Sequence, residues 1–236
     1  MHMSESTYLS GMNHTRVYTM VRPPSEHVLS QYFHCAEARN RDPTARGLIP
    51  SLDEWLENWV SFMETGVLPR PIEHHFNIHM RWMYKCYNPI NLQSRFLEFN
   101  ETLSPDSSKE DLNQRFETIG LTTNFDKSIC LILIRLTGEV PVACDCTSKR
   151  RLRQTHGVVH HGANFTVSES QSLAISKLTK VDEKLFGYAA EIFKENLKGA
   201  EEMYSVKLCD KLDVNKELLT NAGELHFSRK RRREKQ

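Results

Sequence analysis

The sequence predicts an α/β domain, and three observations lead there. Residues 16–21 (RVYTMV) and 118–122 (TIGLT) are short and rich in β-branched and apolar side chains, as buried strands are. Between and after them run stretches whose apolar residues recur at helical spacing. Strands that alternate with helices stack as layers on a parallel sheet. Two strands are few for 236 residues, so an all-α chain with 16–21 as a buried connector is the alternative.

Taken in order, Pro23 and Pro24 stop the first strand, and Ser25 can cap a helix beginning at Glu26. Val28, Leu29, Tyr32, Phe33 and Ala36 draw its apolar face, which frays by Asn40. Residues 40–50 read as a loop containing Asp42-Pro43 and Gly47. Ser51 then caps a second helix with Leu52, Trp55, Leu56, Trp59, Val60 and Met63 inward, and Gly66 ends it. Residues 67–86 are His-rich and carry no clear period. Asn88-Pro89 marks a turn before a helix over 92–99. Residues 104–108 (SPDSS) read as loop, followed by a helix over 109–117. Residues 125–136 form a buried helix that Asn124 or Asp126 can cap. A long connection with a basic knot spans 141–165. Ser168 opens a helical region to about Lys211, striped by Leu173, Ile175, Leu178, Val181, Leu185, Tyr188, Ala189, Ile192 and Phe193.

Composition excludes several classes. Hydrophobic residues are 39% and charged residues 26%, a balance that supports a folded core rather than global disorder. The longest apolar run, 129–134 (ICLILI), is far shorter than a membrane span, and the N-terminus lacks the apolar stretch of a signal peptide. Thirty-one Lys and Arg against thirty Asp and Glu give a net charge of +1. The last eight residues, 229–236 (RKRRREKQ), carry six of those bases and one acid, which leaves the remainder mildly acidic. Residues 212–236 therefore read as a polar, disordered tail, either simply solvated or serving nuclear import or polyanion binding.

Six cysteines are too scattered for a disulfide-built miniprotein. Cys144 and Cys146 make only C-x-C, a poor zinc clip, and Cys130 in its apolar run reads as buried filler. Asn13, Asn100 and Asn164 open N-x-[S/T] sequons, which permit a secretory location. His75 and His79, with His74 beside them, could share a helix face, and His156, His160 and His161 cluster later. Neither group has a third ligand at a spacing such as H-E-x-x-H, so no metal site is predicted. Trp55, Trp59 and Trp82 read as core or groove wall.

The segment 22–32 (RPPSEHVLSQY) is the first site candidate. An arginine at a strand's C-terminal end, before a turn and a helix N-terminus, is where open α/β sheets bind anions. Arg22 can fork onto a phosphate, and Ser30, further along the helix, can add a hydroxyl. The same residues also fit a strand end with no ligand. The second candidate is the knot 148–156 (SKRRLRQTH). Its cations, with Ser148 and Thr155, can neutralise phosphate or sulfate groups or simply form a solvated surface run.

The strand followed by Arg-x-Pro-x-x-x-x-x-Ser-x-Tyr resembles the 3′-phosphate-binding segment of sulfotransferases that use 3′-phosphoadenosine 5′-phosphosulfate (PAPS). The resemblance is closest to the membrane-bound carbohydrate sulfotransferases. Three further segments are similar in the same order: 88–97 (NPINLQSRFL), 119–133 (IGLTTNFDKSICLIL) and 179–193 (TKVDEKLFGYAAEIF). The resemblance implies a P-loop-like three-layer α/β domain over residues 1–211, lacking its N-terminal part. It implies PAPS as sulfuryl donor and a hydroxyl acceptor, on a carbohydrate, with no metal and no specific nucleic acid partner. It implies Arg22 and Ser30 at the 3′-phosphate, and Lys149, Arg150 and Thr155 in a basic loop folding over the nucleotide. His2, twenty residues before Arg22, falls where such enzymes carry a catalytic base, although a residue beside the initiator Met also fits a disordered terminus. A full-length anchored enzyme of this kind would work in the Golgi lumen, whereas this chain by itself shows no signal, which leaves the cytoplasm open.

The departures are specific. His27 stands where many members carry a second arginine, and Thr123 where they carry glutamate. No glycine-rich phosphosulfate loop occurs in residues 1–30. Such a loop holds and polarises the transferring group, so an inactive fragment is one expectation. The alternative function is a non-catalytic binding protein acting through the basic tail.

Overall fold

The computed structural model describes residues 17–41, 50–67, 88–146 and 165–209. The fold is mixed α/β, mostly helical, with a small parallel sheet. The elements are β1 (Tyr18–Val21), α1 (Pro24–Arg41), α2 (Leu52–Thr65), α3 (Leu92–Phe96), α4 (Pro105–Arg115), β2 (Thr118–Leu121), α5 (Phe125–Thr137), α6 (Glu169–Leu178) and α7 (Lys180–Tyr204).

Both strands expected from sequence form, and they pair with each other. β1 and β2 run parallel, with Tyr18 opposite Thr118 and Val21 opposite Leu121. Parallel pairing needs a long crossover, and α1 to α4 lie within the connection that supplies it. All four residues of β2 are buried, so both of its faces are covered. On one face Gly120 lets α5 approach: a Cβ there would sit 2.7 Å from the Ser128 Cβ. That closeness puts the Ser128 hydroxyl in reach of the Leu121 carbonyl, to which it donates at 3.0 Å, and it accepts from the Leu121 N–H at 2.8 Å.

Among the described residues two apolar clusters form the interior. Around β2, Val21, Ile119, Leu121, Leu131 and Ile134 pack with Leu112 and with Leu185, Ala189, Ile192 and Phe193 of α7. A second cluster joins Val28 and Leu29 of α1, Leu52, Trp55, Leu56 and Trp59 of α2, and Ile175 and Leu178 of α6. The helix signals worked locally. The Ser51 hydroxyl accepts from the Glu54 N–H, and Gly66 closes α2 in the left-handed region at φ 70°. Ser168 and Gln171 form a reciprocal capping box at α6.

Four local expectations are corrected. Ser25 does not cap α1, because the helix begins at Pro24, whose fixed φ and missing N–H suit a first turn. Residues 104–108 are not loop but the cap and first turn of α4, with Ser104 accepting from the Ser107 N–H and Pro105 opening the helix. The helix expected over 92–99 is only Leu92–Phe96, because Glu98 turns left-handed at φ 49°. Cys130 is not filler: it lies in α5 and is bonded to Cys144, while Cys146 is bonded to Cys209. The second bond secures the strand-like pairing of Asp145 with Leu208, where the Cys146 N–H donates to the Lys207 carbonyl at 3.0 Å. The tail over 212–236 lies outside the described residues.

Candidate functional site

The four segments singled out in sequence converge at the end of β1. Val21 sits beside Leu121 in the sheet, and Arg22 follows it at the turn into α1. Gln93 grips that turn from α3. Its Nε2 donates to the Arg22 carbonyl and its Oε1 accepts from the Arg22 N–H, both at 2.8 Å. A side-chain amide here completes backbone pairing for a residue that has left its strand.

Asp182, in the first turn of α7, holds α3 in turn. Its carboxylate accepts from the Gln93 N–H at 3.2 Å and the Ser94 N–H at 2.7 Å, with the residue only 1% exposed. A buried carboxylate at a helix N-terminus is stable because backbone donors replace its water. Asn91 completes the seam. Its N–H donates to the Leu178 carbonyl and its Oδ1 accepts from the Val181 N–H, each at 2.8 Å. The α3 segment thus ties the strand end to the α6–α7 junction.

The Arg22 guanidinium stands on this frame. Its Nε lies 3.7 Å from Glu26 Oε2, beyond hydrogen-bond reach, and is buried with no hydrogen-bond partner among the described residues. Half-buried Ser30 lies along the same helix. His27, also on α1, is half-buried. Burial lowers its pKa from the ordinary value, Asp182 partly offsets this, and Arg22 adds a smaller lowering. The imidazole is therefore neutral at pH 7 and supplies a hydrogen-bond group rather than a second cation. Thr123 is exposed in the turn after β2, with its hydroxyl 3.2 Å from Asn124 Oδ1.

Of the expected site residues, Arg22 stands at the turn after β1 and Ser30 lies further along α1. His2, Lys149, Arg150 and Thr155 lie outside the described residues, as do the histidine groups at 74–79 and 156–161. Sequence reasoning assigned no role to Gln93 or Asp182. The available signal for Asp182 was an acid between Val181 and Leu185 on the apolar stripe of its helix, where a charge persists only with partners. Among the described residues no group of His, Cys, Asp and Glu could hold a metal, and no helix is long and apolar enough to cross a membrane.

Fold and site together define an α/β protein with a strand–turn–helix corner that presents one guanidinium on a hydrogen-bonded frame. Comparisons with family models, curated proteins and solved structures find no match to this chain.

Proposed function

We propose that this corner binds the 3′-phosphate of an adenosine 3′-phosphate nucleotide, and that the chain belongs to the PAPS-using sulfotransferases with a P-loop-like three-layer domain. The observation that carries the reading is the Arg22 Nε–H at a strand end, a buried donor that has no hydrogen-bond acceptor among the described residues and only a 3.7 Å ion pair to Glu26. Such a group is expensive to leave unpaired and fits a ligand oxygen. The chain of contacts that links the four resembling segments, from Leu121 beside Val21 through Gln93 on Arg22 to Asp182 on Gln93, supports the same reading. Ser30 would add a hydroxyl to the phosphate, and Lys149, Arg150 and Thr155 would close over the nucleotide. PAPS would supply the sulfuryl group: a carbohydrate hydroxyl oxygen bonds to sulfur, the bond from sulfur to the 5′-phosphate oxygen breaks, and adenosine 3′,5′-bisphosphate leaves. His2 would take the hydroxyl proton. The Golgi lumen is the compartment this activity implies.

Calorimetric titration with adenosine 3′,5′-bisphosphate at low salt tests the binding step. A charge-assisted bond is worth about 1.5–3 kcal/mol, so Arg22→Ala should weaken affinity roughly 10- to 150-fold. Ser30→Ala removes a neutral donor and should cost several-fold. Deleting 229–236 should change little. If that deletion weakens binding as much as Arg22→Ala does, the attraction is nonspecific and the alternative, a binding protein acting through its basic tail, takes over.

A further inference from the structure

The loop after α3 carries a separate feature. Phe99 is anchored, with its side chain in the β2 cluster, its ring 6.0 Å from Tyr188, and its N–H donating to the Ser94 carbonyl at 2.8 Å. Arg115 of α4 donates to the Leu97 carbonyl, and Ser104 caps α4. Between these fixed ends Asn100, Glu101 and Thr102 are exposed. They spell Asn-Glu-Thr, with no proline at 101 or 103.

The acceptor geometry is already folded. Asn100 Oδ1 accepts from the Thr102 N–H at 3.0 Å and from the Thr102 hydroxyl at 2.7 Å. Both bonds hold the carboxamide oxygen toward the protein, so its Nδ2 is left without a hydrogen-bond partner among the described residues. Glu101 is turned instead to Lys184, 3.7 Å away. Cys130–Cys144 and Cys146–Cys209 are both bonded, and such bonds form and persist in oxidising environments, where N-glycans are also attached.

We infer that Asn100 is an N-glycosylation site. The donor class is an oligosaccharide carried on a lipid diphosphate. The Asn100 Nδ2 bonds to the sugar's anomeric carbon, the bond from that carbon to the diphosphate oxygen breaks, the lipid diphosphate leaves and Nδ2 loses a proton. The glycan then projects into solvent from a loop pinned by Phe99 and Ser104, with no packed side chain displaced.

The test is the full chain expressed behind a cleavable secretion signal in a eukaryotic cell. Occupancy is read by mass spectrometry on the tryptic peptide 96–109 from total cell extract, so a poorly folding variant still reports. The expected result is a glycan on Asn100 that disappears in Asn100→Gln and Thr102→Ala and returns in Thr102→Ser. N-glycosidase should release it from the native protein without denaturant. An unmodified Asn100, whether or not Asn13 or Asn164 is occupied, overturns the assignment. A glycan that resists release until the protein is unfolded overturns the solvent-facing geometry on which it rests.

Discussion

The two interior clusters are held by different means. Around β2, apolar packing is reinforced by strand pairing, by the Ser128 hydroxyl bonded to both backbone groups of Leu121, and by the Cys130–Cys144 bond. Between α1, α2 and α6, the interior is helix faces and aromatic edges. Trp55 and Trp59 cross at a ring distance of 6.4 Å, and Gln171 donates to Asp53 across α6 and α2 at 2.9 Å. The candidate site lies on the seam between the two, where Gln93, Asn91 and Asp182 pair the backbone that neither core can pair. A polar seam of this kind fixes geometry more tightly than apolar contact, because each lost partner leaves a buried group unsatisfied.

The largest expected effect is in the helical cluster. Trp55 is almost wholly buried, so Trp55→Ala should cost about 3–5 kcal/mol by denaturant unfolding. Following tryptophan fluorescence together with hydrogen exchange in β2 sharpens the comparison. One shared transition would make the two clusters a single cooperative unit, whereas early loss of fluorescence alone would make them separable. Next comes the seam. Asp182→Ala strands the Gln93 and Ser94 N–H groups and should cost about 2–5 kcal/mol, with Asp182→Asn recovering part of it. If Asp182→Ala costs less than half a kcal/mol in the same assay, the seam is not what joins the clusters.

In the sheet-side cluster, Gly120→Ala should cost about 1–3 kcal/mol, because the new methyl meets Ser128, whose hydroxyl is already committed to Leu121. Gly120→Ala combined with Ser128→Gly, which removes the Cβ that the new methyl meets, should cost less than the two changes added, which a double-mutant cycle measures. The smallest effect is the pH dependence of His27. Its pKa is lowered in the fold, so the unfolded chain binds the proton more readily. The stability it contributes is fully present above about pH 6.5 and falls as pH drops toward the lower folded value. His27→Gln should flatten stability against pH across that window. An unchanged slope would show that the imidazole is no more buried than in the unfolded chain.

Sequence by itself determined the pieces whose causes are local. Short length and β-branched, apolar side chains marked both strands. Ser51, Gly66 and Ser168 marked helix ends through their own hydrogen bonds or backbone freedom, and periodicity marked the faces of α2 and α7. It also offered Arg22 and Ser30 as candidates, since a strand, a turn and a helix start are readable in order. Where a local signal had two meanings, sequence chose wrongly: Ser104-Pro105 suits a loop or a first helical turn, and α4 settled which. The partners were decided only by tertiary structure. Nothing near Cys130 in the chain says that Cys144 will meet it, and nothing near Gln93 or Asp182 says that one will grip Arg22 and the other hold α3. Each of those contacts joins segments whose approach is set by how β2, α5 and α7 pack. The chemistry of a side chain is written at its position, but its environment is contributed by residues brought in from elsewhere in the chain.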